Sequence, residues 1–126
     1  MAINEISTTI TGTEGKETLR GTFKFKVRLS YRDVLAMDDR RRRYMGANAE
    51  YADQAVLQVA YMFAKIQTHL LESPSWWKEA DNGMNLEPGP DSVVNKLFVA
   101  ILEEEKKASD ALVAEAEKAK DELKAP

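Results

Sequence analysis

Residues 49–71 constrain this chain more than any other stretch. Ala52, Val56, Val59, Phe63, Ile66 and Leu70 recur at steps of three and four, so they fall along one side of an α-helix. Ala55, Leu57, Ala60, Tyr61, Met62 and Ala64 widen that apolar stripe beyond a single seam. A helix wetted over half its surface does not need so much apolar area. The pattern therefore predicts the central and most buried helix of a small core. Asn48 is placed to cap its first turn, because its side-chain oxygen can accept from a free amide. Pro74 ends it, having no N–H and biasing Ser73 away from helical backbone.

Such a helix needs a surface to cover, and the upstream chain offers one. Residues 3–11 are rich in β-branched types. Residues 18–29 alternate, with Leu19, Phe23, Phe25, Val27 and Leu29 on one side and Lys24, Lys26 and Arg28 on the other. Residues 12–16, with Gly12 and Gly15, supply the turn of a β-hairpin that has one apolar face. Gly12, Gly15 and Lys16 lack the spacing of a phosphate loop, and Glu17 stands where serine or threonine is required.

Ser30 and Asp33 form a capping-box pattern that opens a short helix through Val34, Leu35, Met37 and Tyr44, closed by Gly46. After Trp77 the chain loops through Asn82, Gly83 and the segment from Leu86 to Pro90. Asp91 or Ser92 then caps a last helix carrying Val94, Leu97, Phe98, Ile101 and Leu102. Beyond Glu105 the composition shifts to Ala, Glu, Lys and Asp. Ala108, Leu112, Ala116, Ala119 and Leu123 leave a thin seam there. This tail projects as a helix or frays, unless a second copy or a partner covers it. The expected fold class is α+β: an N-terminal β-hairpin packed on a small helical bundle, with a long C-terminal helix. Residues 1–105 form the single domain and residues 106–126 a charged helical extension.

Composition narrows the function. With 44% apolar and 31% charged residues, the chain of 126 residues reads as one soluble globular domain. It has no cysteine, hence no thiol nucleophile and no disulfide. His69 is its single histidine, so one chain cannot build a histidine triad or a two-histidine zinc site. The carboxylates of Asp38 and Asp39, of Glu103 to Glu105, and of Asp121 and Glu122 are sequence neighbours that diverge around a helix. Neither an enzyme nor a cofactor is expected. Gln54, Gln58, Lys65 and Gln67 interrupt the longest apolar stretch, so no membrane span is expected either.

The net charge of −3 hides a split. Residues 16–43 hold ten basic against four acidic residues, a balance of +6, and residues 72–126 hold seven against thirteen, a balance of −6. That asymmetry can steer a charged partner, or let copies attract one another head to tail as a homo-oligomer. The overall acidity argues against nucleic acid as a ligand.

Two features exceed what folding asks for. Arg40, Arg41, Arg42 and Arg43 end the first helix, where they complement its dipole and pair with Asp38 and Asp39, or recognise an acidic partner surface. Trp76 and Trp77 either both close the core, or one closes it and the other is a contact hot spot.

Together the segments from Ser30 to Leu35, from Met37 to Ala47, from Ser73 to Trp77 and from Asn82 to Leu86 resemble tail assembly chaperones of long, non-contractile-tailed bacteriophages, over roughly residues 20–102. The resemblance implies a helper in the host cytoplasm that binds the tape measure protein, keeps its long hydrophobic helices soluble and helps recruit the tail tube protein. Such proteins are generally absent from the finished virion and are often made with a frameshifted longer form. The N-terminal hairpin departs from that mainly helical family. Met37, Met45 and Met84 are adaptable apolar surface of the kind a helix-binding chaperone uses, or fill the core, and core filling is the expectation for Met62. The alternative is a small structural tail or self-assembling virion protein whose hairpin pairs edge to edge with other copies.

Overall fold

The alternation in the N-terminal third becomes two long strands, β1 (Glu5–Glu14) and β2 (Glu17–Lys26), paired antiparallel from Glu5 opposite Lys26 to Glu14 opposite Glu17. The structure, a computed structural model, describes residues 4–46 and 53–124. The connection is the two-residue loop of Gly15 and Lys16, with Gly15 at φ 61°, rather than the five-residue turn expected. Gly12 lies inside β1 for a different reason. A Cβ there would stand 2.6 Å from the Val93 nitrogen, so glycine is what lets another segment touch the strand. Ile10 of β1 and Phe23 and Phe25 of β2 are buried, while Ser7, Thr9, Thr11, Thr18 and Thr22 face outward.

The first helix, α1 (Tyr31–Met45), opens on the expected capping box: Asp33 N–H donates to Ser30 Oγ and Ser30 N–H to the Asp33 carboxylate. Gly46 closes it, at φ 70° with its N–H on the Arg42 carbonyl. None of its residues is buried, so it lies on the surface.

The second helix, α2 (Gln54–His69), differs from the expectation at both ends. Asn48 and the start of the expected helix lie outside the described residues. The described helix is capped by Asp53, which accepts from the Val56 amide at 3.1 Å. It stops at His69, and Leu70–Glu72 form a third strand, β3, beside β2, giving the order β1-β2-β3. Glu72 pairs with Lys24 and Leu70 with Phe25, the register skipping Leu71. The helix yields because the outer edge of β2 has main-chain groups that a strand can satisfy and a helix cannot. Burial is also uneven: Ala60, Phe63, Ala64, Ile66 and His69 are inside, whereas Val56 and Val59 are 48% and 50% exposed. The expected continuous core stripe is thus buried only in its second half.

A short helix, α3 (Ser75–Glu79), follows Pro74. The last helix, α4 (Val93–Lys124), starts at Ser92, whose Oγ accepts from the Asn95 amide at 3.1 Å. Val93, Val94, Leu97 and Ile101 join Ile10, Phe23, Phe25, Phe63, Ile66 and Trp77 in one core cluster. The helix then continues unbroken past residue 105, and residues 109–123 are all exposed. None of the described helices is long and apolar enough to cross a membrane.

The sheet edges are closed by distant residues. Val27 N–H donates to the Asn4 carbonyl at 2.9 Å, so Glu5, Ser7, Thr9, Thr11 and Thr13 turn their main-chain groups away from β2. Thr13 N–H then donates to the Asp91 carbonyl at 2.9 Å, and Lys96 Nζ donates to the Thr11 carbonyl at 2.8 Å. On the far side of β2, His69 Nδ1 donates to the Lys26 carbonyl at 2.6 Å and Trp76 Nε1 to the Arg20 carbonyl at 3.2 Å. Among the described residues, no strand pairs with the outward groups of Glu5, Ser7 and Thr9.

Candidate functional site

The half of α2 that leaves the core makes the most distinctive surface. Val56 and Val59 stand proud of the sheet because the large inward side chains of β1 and β2 reach only the second half of the helix. On one flank α1 lays Tyr44 against Phe63, ring edge to face, with centroids 6.5 Å apart. On the other, the loop between α3 and α4 brings in Met84 and Leu86. The loop turns sharply through Asp81, Asn82 and Gly83, all at positive φ. At Gly83 (φ 87°) a Cβ would fall 2.5 Å from the Trp77 ring, so the loop can lie on that tryptophan only as glycine.

The result is a groove of two adjoining hollows, about 180 Å³ and 240 Å³, that share Val59, Phe63 and Met84. The first continues over Met62, Leu86 and Val94, the second over Tyr44, Val56 and Ala60. Its walls are mainly apolar, with Glu87, Ser92 and Asn95 as polar lining of the first hollow, and two of the side chains are methionines, which adapt to varied shapes. The Tyr44 phenol is pushed up from its ordinary range by burial, with Arg40 and Asp81 close enough to act on it in opposite senses.

A basic helix end adjoins this groove. Arg40 Nη1 donates to Thr68 Oγ1 at 2.8 Å, and that hydroxyl donates to the Ala64 carbonyl at 2.7 Å, tying α1 to α2. Arg41 and Arg42 both reach Asp38 at 2.9 Å, and Arg43 reaches Asp39 at 2.8 Å. The hydrogen bond from Arg41 holds the Asp38 carboxyl below its usual range. Four cations against two anions leave positive charge in excess, and Arg42 and Arg43 are 72% and 77% exposed. At the other end of α1, Asp33 is brought down to about 2, first by Lys26 Nζ and then by the Ser30 amide.

The two tryptophans part company. Trp77 is wholly buried, its ring edge-on to Phe23 at 5.3 Å, so it has no surface to offer a partner and is corrected to a core residue. Trp76 is half-buried on the outer edge of β2 and does not line the groove. The arginines and the tryptophans therefore lie apart and do not form one site. None of the four arginines is among the residues lining the groove, while Val56, Val59 and Tyr44 join the candidate site from positions read as helix stripe.

A second cluster of ionisable groups pins α2 to α4. Lys65 Nζ, almost wholly buried, lies 2.9 Å and 3.0 Å from the two Glu105 oxygens. His69 Nε2 lies 3.3 Å from the same carboxylate. Burial pushes the His69 imidazole below its ordinary range, with Lys65 acting in the same direction. Its Nδ1 must carry the proton, since a carbonyl can only accept.

No protein-family model, no curated protein and no solved structure matches this chain.

Proposed function

We propose that this chain is a holding protein without catalytic activity, a phage tail assembly chaperone that binds an amphipathic helical segment of the tape measure protein and keeps it soluble in the host cytoplasm. The observation that carries this reading is the groove of Tyr44, Val56, Val59, Phe63 and Met84 along the half of α2 that the core leaves exposed. A helix laid into such a groove anchors through apolar side chains at steps of three and four. The arginine-rich end of α1 suits acidic residues flanking those anchors, and steers the approach. Recruitment of the tail tube protein belongs to the same proposal and draws on the family resemblance. That resemblance sits partly on residues with architectural work: the capping box of Ser30 and Asp33, and the loop from Asn82 to Leu86 that covers Trp77.

Co-expression with a tape measure segment, followed by pull-down and a solubility assay, tests this. Val59→Glu should abolish client rescue while the melting curve stays close to the parent's, because Val59 is half exposed. Undiminished rescue by that variant would put the client elsewhere.

A second reading, a small structural tail subunit, is favoured by the outward main-chain groups of Glu5, Ser7 and Thr9 on β1. Its mark would be the protein's presence in purified particles.

A further inference from the structure

His69 is wholly buried, and one of its ring nitrogens has no hydrogen-bond partner. Its Nδ1–H is spent on the Lys26 carbonyl at 2.6 Å, so Nε2 carries a lone pair and turns it to Glu105 Oε2, 3.3 Å away. Two acceptors face each other there with no hydrogen between them. Both Glu105 oxygens are meanwhile served by one donor, Lys65 Nζ, at 2.9 Å and 3.0 Å. One carboxylate thus has two claimants, and only the lysine holds it.

Every element around the ring bears on that choice. β2 contributes Lys26, whose ammonium is held by Asp33 of α1 at 2.7 Å. α1 also sends Arg40 to Thr68, the residue before His69. Glu72 of β3 acts on Lys24 and not on the ring, which leaves Glu105 of α4 as the anion that does. Burial is the first cause that keeps the imidazole neutral, and Lys65 and Lys26 act in the same direction. A proton added at Nε2 puts two buried cations on one carboxylate, and one of them must give way. They are not equally free to do so. The ring is clamped through Nδ1, whereas the Lys65 ammonium ends a flexible four-carbon stem beside a carboxylate that is 34% exposed.

We propose that Glu105 changes partner when His69 takes up one proton: Nε2–H then donates to Oε2, and Lys65 releases both oxygens and turns its ammonium out to water. The proton comes from solvent, and the Nδ1–H bond to the Lys26 carbonyl stays in place. The joint between α2 and α4 holds in both forms, through the lysine when the ring is neutral and through the imidazolium when it is charged. Acid therefore carries a charge from the interior to the surface without parting the helices. This device does not depend on what the groove binds.

The test is direct because the chain has a single histidine, whose ring signals need no assignment. In an untagged full-length chain, ring nitrogen shifts should show a proton on Nδ1 throughout and a second one added at Nε2 as pH falls. A soluble paramagnetic agent should leave the Lys65 Cε protons sharp above that midpoint. Below it, their broadening should reach that of Lys107, which is 72% exposed. His69→Gln should keep Lys65 sheltered on both sides. Lys65→Met removes the rival charge and should move the ring midpoint up, while Lys107→Met should leave it unmoved. Each reading is taken where a melting curve shows the chain folded. A Lys65 that stays sheltered while the ring titrates overturns the proposal, as does a ring midpoint unmoved by Lys65→Met. A parent that unfolds before its ring titrates overturns it, because the exchange then never occurs in the folded chain. Lys65 broadened equally in His69→Gln overturns it as well, since its release would owe nothing to the ring.

Discussion

His69 Nδ1 donates to the Lys26 carbonyl across 2.6 Å, while its other ring nitrogen faces the Glu105 carboxylate at 3.3 Å. The buried imidazole thereby ties α2 to the sheet edge, while Nε2, a bare acceptor in this tautomer, has no hydrogen-bond partner. Because burial, Lys65 and Lys26 hold its pKa below the ordinary value of 6.5, the unfolded chain takes up the proton more readily than the folded one. The stabilisation is fully present above the unfolded pKa and is lost as pH falls below it. Thermal melts should therefore drop between pH 7 and pH 5, and His69→Gln should flatten that slope. An equal slope in the variant would place the titrating group elsewhere. Asp33 acts in a lower window: its stabilisation is present above its unfolded value of 3.8 and is lost as pH falls towards about 2.

Glu105 is the counter-charge of a buried lysine. Glu105→Ala in the full chain leaves the Lys65 ammonium inside without its partner, and should cost about 3 kcal/mol. Denaturant titration reads the loss. A second change, Lys65→Met, should recover most of it by removing the stranded charge.

Trp77 holds the loop, the sheet and the α4 start together. Trp77→Ala should cost about 3–5 kcal/mol as a core truncation. Gly83→Ala should also destabilise, since it meets both an unfavourable positive φ and the Trp77 ring. A parental midpoint for Gly83→Ala would show that the loop is not seated on the ring.

The arginines divide into structural and available ones. Arg41→Ala with Arg42→Ala should barely move the melting temperature, because exposed pairs on a helix contribute about 0.3–0.5 kcal/mol each. Client association should nevertheless weaken, and the loss should shrink as salt is raised. Arg40→Ala should lower the melting temperature, since it unties α1 from Thr68. Unaltered client binding by the double variant would take these arginines out of the site.

Removal of residues 106–126 should leave the domain folded. Residues 109–123 are exposed, and the contacts of α4 with the core end near Ile101 and Glu105. A collapse in melting temperature would mean that the tail packs on its own domain.

The hairpin and the capping box are legible in sequence because each is set by neighbours: the alternation of Phe23, Phe25 and Val27, and the spacing of Ser30 and Asp33. The third strand is not legible. Leu70 and Leu71 carry the same apolar signal in a helix as in a strand, and what decides between them is the unpaired edge of β2, more than forty residues earlier. The groove is hidden for a similar reason. Val56 and Val59 continue the stripe that Phe63 and Ile66 bury, and only the reach of the sheet side chains sets where burial ends. Trp77 lies inside and Trp76 at the edge because α3 turns one toward Phe23 and the other toward the Arg20 carbonyl, which adjacency in sequence does not tell.

The way the sheet edges are closed imposes an order in time on the chain as it is made. The two long strands need only each other and can pair as soon as Glu17–Lys26 has been synthesised. Their seals come much later: Trp76 is 56 residues after Arg20, and Lys96 is 85 residues after Thr11. At about 5–20 residues per second, the ribosome needs roughly 4–14 s to go from Lys26, where the hairpin is complete, to Lys96. The β2 flank stays open until Leu70–Glu72 and Trp76 have been made, and the β1 flank until Asp91 and Lys96, so neighbouring ribosomes on one message present the same unsealed strands to one another.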